Sequence, residues 1–202
     1  MALSAIAINC TLKSSGDNAS STDAMIGVLQ TEFARHEVEI AEVLRMADYT
    51  IKPGVTSDEG EGDDWPALRE KILAHDILIF GTPVWLGQIS SIAKRVLERM
   101  DAFLGETDDK GRMPPFGKVA VAAVVGNEDG AHNCSAQLYQ ALNDLGWTIP
   151  ANAISYWVGE AMHSTDFKEL DQTPKKVSQT AKMLASNAVH LAGLLKDKPY
   201  PG

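Results

Sequence analysis

Side chains able to hold an anion are crowded near the start of the chain. Residues 9–22, NCTLKSSGDNASST, carry Thr11, Lys13, Ser20, Ser21 and Thr22. Ser20 is followed by Asp23 at capping-box-like spacing, and Met25, Leu29 and Phe33 then recur as a helical stripe. A loop of this build brings hydroxyls and backbone N–H groups to a helix amino terminus, which is a ready anion site. A second stretch, residues 82–88 (TPVWLGQ), offers different chemistry. Thr82 and Pro83 open it, Pro83 stiffening the chain. Gly87 permits a close backbone approach, and Val84, Trp85 and Leu86 supply apolar surface where a plain connection would be polar. The third stretch, residues 126–133 (GNEDGAHN), sets Asn127, Glu128 and Asp129 between Gly126 and Gly130, with His132 beyond. One loop rich in hydroxyls, one aromatic and one flanked by glycines match a ligand with a phosphate and a flat ring system.

The surrounding elements explain how three distant loops meet. Residues 3–8 (LSAIAI) read as a central first strand, and residues 37–44 (EVEIAEVL) alternate as a half-exposed edge strand would. Residues 76–80 (DILIF) form a buried run that Gly81 is expected to end, and residues 117–125 (GKVAVAAVV) form another. Residues 148–158 hold the last strand. Helical spacing appears through Leu68 and Ile72, through Ile92, Val96, Met100 and Phe103 with Ser90 or Ser91 as cap, and through Leu138, Leu142 and Leu145. A final helix follows Thr173 and Pro174, read as its cap and first-turn proline, with Val177, Ala181, Leu184, Ala188, Leu191 and Leu195 on its apolar face. Strand and helix alternate about five times, so the expectation is one α/β domain over residues 1–202: a five-stranded parallel sheet, order 2-1-3-4-5, with helices on both faces. In that order strands one, three and four are neighbours, and the three loops converge at their carboxyl ends. A flavin mononucleotide has both the phosphate and the ring that such a site would take.

Composition narrows the partners. The 202 residues carry a net charge of -9, and no Lys/Arg cluster interleaves with aromatics, so nucleic acid and anionic membranes are poor partners. No apolar run approaches a membrane span and the amino terminus lacks the basic region of a signal peptide, so the expected location is cytoplasmic. Cys10 and Cys134 belong to no CxxC pair and read as reduced packing residues. Residues 45–64, with an acidic and glycine-rich IKPGVTSDEGEGDD core, read as a solvated surface excursion whose carboxylate spacing is too loose for a calcium loop. No metal site is expected.

Residues 81–101, GTPVWLGQISSIAKRVLERMD, resemble the G-[ST]-P-x-[YW]-x-G-x-[MI]-[ST] segment of flavodoxin-like NAD(P)H-dependent FMN reductases and the related quinone reductases. The first loop is similar to their phosphate loop, with Thr11 and Lys13 in the Ser and Arg places and Ser20, Ser21 and Thr22 closing it. It lacks the usual Gly-Ser start, and Gly126-Asn127-Glu128-Asp129-Gly130 stands where relatives often carry a run of glycines. The resemblance implies a flavodoxin-like three-layer sandwich that binds FMN through all three loops. It also implies two-electron transfer from NAD(P)H to a quinone or similar small acceptor, with the flavin carrying the chemistry and no catalytic side chain. Relatives often place the flavin at a subunit boundary, and residues 157–162 look apolar and uncovered, so a homodimer or homotetramer is expected.

Other classes fare less well. There is no G-x-G-x-x-G, no G-x-x-x-x-G-K-[ST] and no G-x-S-x-G elbow, which removes the main support for Rossmann, P-loop and hydrolase readings. Trp85 has a plain alternative as a core aromatic, and His132 as a solvated loop residue. Trp147, Tyr156 and Trp157 read as core or dimer-contact aromatics. The alternative function is a flavodoxin-type one-electron carrier for protein partners, which the acidic charge and fold would suit but the chain length and middle loop would not.

Overall fold

The computed structural model describes residues 2–16, 19–160 and 163–201. Five strands pair in parallel: β1 (Ala5–Asn9), β2 (Ile40–Arg45), β3 (Ile77–Trp85), β5 (Val119–Gly126) and β6 (Ile154–Val158), in the order β2-β1-β3-β5-β6. A two-residue strand, β4 (Gln88–Ile89), turns back antiparallel on the end of β3. Counting only the parallel strands, this is the expected 2-1-3-4-5 sheet. The β-strand period of two explains the layers, because successive side chains go to opposite faces. Ile6, Ile8, Leu78, Phe80, Ala120 and Ala122 join one core, under α2 (Trp65–Leu73), α3 (Ser91–Met100) and α4 (Ala131–Asp144). Their neighbours Ala5, Ala7, Ile77, Ile79, Val119 and Val121 join the other, under α1 (Ser21–Ala34) and α5 (Lys175–Asp197). The fold is flavodoxin-like.

Several boundaries differ from expectation for identifiable reasons. Gly81 does not end its strand, because β3 keeps pairing with β5 through Gly81–Ala123, Thr82–Val124 and Pro83–Val125. The glycine is there for packing: a Cβ at Gly81 would lie 2.8 Å from the Thr22 methyl and 2.9 Å from the Ile8 carbonyl oxygen. Only Leu86 and Gly87 form the turn, joining Trp85 to its partner Gln88. Both have positive φ, 51° and 73°, which is the arrangement that matches the twist of a two-residue hairpin. In the last strand only Ile154–Val158 is extended, while Thr148 makes a single bridge to Val119. Ser90 caps α3, accepting a bond from the Ala93 amide. Pro174 rather than Thr173 occupies the cap position of α5.

The acidic excursion lies largely at the surface, as expected, but it is pinned to the core at a few points. Met46 and Ile51 are buried, and Asp63 forms a two-pronged ion pair with Arg99 of α3 at 3.0 and 2.7 Å, both side chains inaccessible to solvent. Periodicity could not reveal this, because Arg99 sits beside Met100 on the buried side of α3 and its partner comes from a stretch that looks uniformly polar.

Candidate functional site

The phosphate side is organised by Asn9, the last residue of β1, which is wholly buried. Its Oδ1 accepts from the Thr11 amide at 2.9 Å, and its Nδ2 donates to Ser20 Oγ and to the Asp23 carboxylate. One amide side chain thus ties the start of the first loop to the start of α1. Ser20 caps that helix, accepting from the Asp23 amide at 3.3 Å. The reciprocal half of a capping box is absent, since the Asp23 carboxylate is engaged by Asn9 and Arg45 instead. Arg45 also donates to the Ser14 carbonyl, and Asp48 accepts from the Ser15 amide at 2.7 Å. That amide bond, helped by the Ser15 hydroxyl, holds the Asp48 carboxyl below its ordinary value. Asp17 and Asn18 lie outside the described residues.

The other side is closed by backbone geometry. Leu86 donates its amide to the Glu128 carboxylate at 2.8 Å, and the Gly87 carbonyl accepts from Asn133 at 2.8 Å. Gly130, with φ 133°, lies against Gly87 so closely that a Cβ there would sit 2.6 Å from the Gly87 Cα. The hairpin tip is therefore fastened to the third loop. The acidic pair in that loop is also engaged, because Asp129 accepts from the Gly130 amide at 2.7 Å. Thr82 is fully buried, with its hydroxyl accepting from the Ser90 amide and donating to the Pro83 carbonyl.

Between these sides lies an open cleft of about 660 Å³, counting its mouth. From the first loop it gathers Thr11, Lys13, Ser20, Ser21 and Thr22, and from the second Pro83, Val84 and Trp85. Gly126, Asn127 and Glu128 complete the expected contributors. Thr82, Leu86, Gly87, Asp129, Gly130 and His132 do not line it: Thr82 is turned inward, and the others hold or flank the hairpin. His132 packs edge-on against Tyr156, 5.2 Å between ring centres.

A fourth segment, which the loop pattern did not single out, supplies further lining. Trp157 at the end of β6 faces the cleft and packs on Phe167, 5.6 Å away, so the chain itself covers this aromatic. Ala161 and Met162, the end of the apolar stretch expected to meet a partner, lie outside the described residues. Asp166, Phe167 and Lys168 also line the cleft, in a short turn closed by reciprocal side-chain-to-backbone bonds between Asp166 and Glu169. The only sequence signal was the Asp-x-x-Glu spacing at 166–169.

The donor set suits a flavin monophosphate. Hydroxyls and ammonium groups gather at a helix amino terminus on one side, with Pro83, Val84 and two tryptophans on the other. Residues 4–161 match the description of NADPH-dependent FMN reductases. The chain belongs to that family. FMN and NAD(P)H are the groups its members use. The chain is similar to an 8-demethyl-8-aminoriboflavin-5'-phosphate synthase from Streptomyces davaonensis, 32% identical over 99% of this chain and 81% of that protein. The crystal structure of RosB with a bound 8-demethyl-8-formylriboflavin-5'-phosphate intermediate superposes with a TM-score of 0.88 at 30% identity, covering 98% of this chain and 82% of that one. A Mycobacterium bovis protein named divalent metal cation transporter MntH is 32% identical over 96% of this chain, but the chain spans only 29% of its length. Among the described residues no helix is long and apolar enough to cross a membrane, and no group of three or more His, Cys, Asp or Glu side chains is placed to hold a metal.

Proposed function

We propose that this chain is an FMN-dependent oxidoreductase passing two electrons from NAD(P)H to a quinone or similar small acceptor. The observation that carries the reading is a single cleft joining the amino terminus of α1 to the wall formed by Pro83, Val84 and Trp85. When bound, FMN supplies the two-electron chemistry, and the protein supplies position, electrostatics and access. Thr11, Ser21 and Thr22 hold the phosphate with the first-turn amides of α1, while Ser20 keeps that turn capped. Val84 and Trp85 give the ring an apolar wall, with Gly126, Asn127 and Glu128 at its polar edge. The hairpin clasp at Leu86, Gly87 and Gly130 fixes that wall in place. No side chain is assigned a proton-transfer role. Burial pushes the Cys10 thiol far up, and burial with the Glu128 charge raises Cys134 to about 11, so neither thiol serves as a nucleophile. Both thiols are free, which fits a cytoplasmic setting. Trp85 and Leu86, at the hairpin tip, are 52% and 90% exposed and offer surface to a second subunit in a homodimer or homotetramer, which light scattering would test.

Anaerobic mixing of the FMN-loaded protein with NAD(P)H, followed by a small benzoquinone, should consume one nicotinamide per quinone. No nicotinamide oxidation with FMN bound would refute the reading. A second reading treats the flavin phosphate as substrate, altered at its 8 position and released. The likeness to the synthase favours it. Mass measurement of flavin recovered after turnover separates the two: an unchanged mass supports the reductase, and an altered ring the synthase reading.

A further inference from the structure

The cleft contains a cation in an electrostatically awkward place. A helix amino terminus carries partial positive charge, so ammonium groups are favoured at the opposite end. Lys168 nevertheless reaches the start of α1 from another part of the chain. Its Nζ lies 3.4 Å from the Ala19 carbonyl oxygen, and its backbone amide donates to Ser21 Oγ at 3.4 Å. Backbone and ammonium therefore bracket the residues on either side of the Ser20 cap. The turn that presents them is anchored by Phe167, 5% exposed and packed on Trp157, and by the Asp166–Glu169 bonds. Asp166, 3.6 Å from the ammonium, offsets part of the unfavourable charge. The Lys168 side chain is 24% exposed, whereas Lys13, the other lysine of the cleft, stands on the exposed first loop.

A local rule broken inside a binding cleft points to a ligand that repairs it. We propose that Lys168 is the specificity-determining cation for the 5'-phosphate, selecting phosphorylated over unphosphorylated flavin, and that Asp166 positions it before the ligand arrives. This rests on the reading that α1 receives the phosphate of a flavin, and it holds whether that flavin acts as cofactor or substrate. The phosphate adds the anion the helix terminus favours and gives the ammonium a charged partner better than a carbonyl oxygen.

The test compares FMN and riboflavin binding, read by flavin fluorescence, in the wild type, Lys168→Met and Lys168→Arg. Wild type should prefer FMN. Lys168→Met keeps the length and apolar stem of the side chain and should weaken FMN roughly tenfold, with riboflavin affinity unchanged. Lys168→Arg, which keeps the charge, should retain most of the preference. Equal loss for both ligands in Lys168→Met would make the residue merely a wall of the cleft and overturn the inference, as would no loss at all. A wild type that binds both flavins equally would overturn the phosphate site itself, and the inference with it. Should Lys168→Met fail to fold, Lys168→Arg decides, because loss of FMN preference in a folded, charge-retaining variant also overturns the proposal.

Discussion

The excursion at residues 46–64 and the first loop at residues 10–22 are alike in sequence, both polar, both glycine-containing and both following a strand. Their polar groups have different fates. In the excursion the buried carboxylate is answered by the protein itself: Asp63 accepts from both Arg99 prongs and from the amides of Lys52, Glu59 and Trp65, while Arg99 also donates to the Lys52 and Thr56 carbonyls. In the first loop Asn9, Arg45 and Asp48 secure the ends, and Thr11, Ser21 and Thr22 are left facing a cleft. A polar loop that satisfies itself is scaffold. One whose anchors leave donors turned toward a concave surface is a site. The comparison predicts that damage to the excursion appears in stability, and damage to the first loop in ligand affinity.

The largest effect should come from Arg99→Met. Removing one partner of a buried pair strands the other charge, at a cost of about 3 to 5 kcal/mol. FMN affinity per folded molecule should not change, which chemical denaturation alongside flavin titration would check. Acid sharpens the point. Burial pushes the Asp63 carboxyl up, but the Arg99 bond and three amides outweigh it and hold it well below the carboxylate range. Its folded value is lowered, so its stabilisation is complete above the unfolded carboxylate value of about 4 and is lost as pH falls through the folded value. In Arg99→Met the stranded carboxylate is instead easier to protonate when folded, and the stability gap to wild type should narrow as pH drops. A gap independent of pH would show that the lost energy is packing rather than charge.

Next in size is Gly130→Ala. The new Cβ would meet the Gly87 backbone at 2.6 to 2.9 Å, at a φ of 133° that side chains rarely adopt. Strain of this kind costs about 1 to 3 kcal/mol, and relief requires the hairpin to leave the third loop. Gly87→Ala should cost less, about 1 to 2 kcal/mol, since its φ of 73° is strained but its nearest neighbour, the Asp129 carbonyl oxygen, is 3.8 Å away. Gly130→Ala should therefore weaken FMN and riboflavin together and more than Gly87→Ala does. The reverse order would place the critical backbone approach at the ligand rather than at the hairpin clasp.

The layers and strand order were legible because buried strands and helical stripes leave periodic signals, as in Ile6 and Ile8 against Ala5 and Ala7. The three loops were legible because each departs from what a connection needs. The clasp was not, because Glu128 reaching the Leu86 amide spans 42 positions and depends on how the ends of β3 and β5 align. Nor was Lys168, which arrives from a short turn with no motif of its own. Gly130 is the sharpest case: in sequence it reads as a ligand neighbour, while in the fold its backbone packs against Gly87.

Ser20→Ala and Ser21→Ala divide the first loop more finely. Ser20 spends its oxygen on the Asp23 amide and the Asn9 side chain, so its loss should lower stability by about 1 kcal/mol. Ser21 leaves the cap intact, and its loss should cost FMN about 1.5 kcal/mol while sparing riboflavin. Thermal melts and paired flavin titrations read the two separately. If Ser21→Ala instead lowers the melting point and leaves FMN affinity alone, its bond from Lys168 is structural and the phosphate lies elsewhere.

The smallest effect is expected from Lys13→Met, although Lys13 stands in the same cleft and carries the same charge as Lys168. The difference is exposure. Lys13 projects from the exposed part of the first loop, where water screens its field and a flexible stem must be ordered before it can pair. Its contribution should be about 0.5 kcal/mol at low ionic strength and should vanish near 1 M salt, where the screening length falls to about 3 Å. The Lys168→Met loss should persist through the same titration, because a partly enclosed ammonium is screened much less. FMN dissociation constants measured across salt for both variants give two curves that converge on wild type in one case only. Were the Lys13 loss to survive high salt, the first loop would be closing over its ligand as the excursion closes over Asp63, and the distinction between the two loops would hold only before binding.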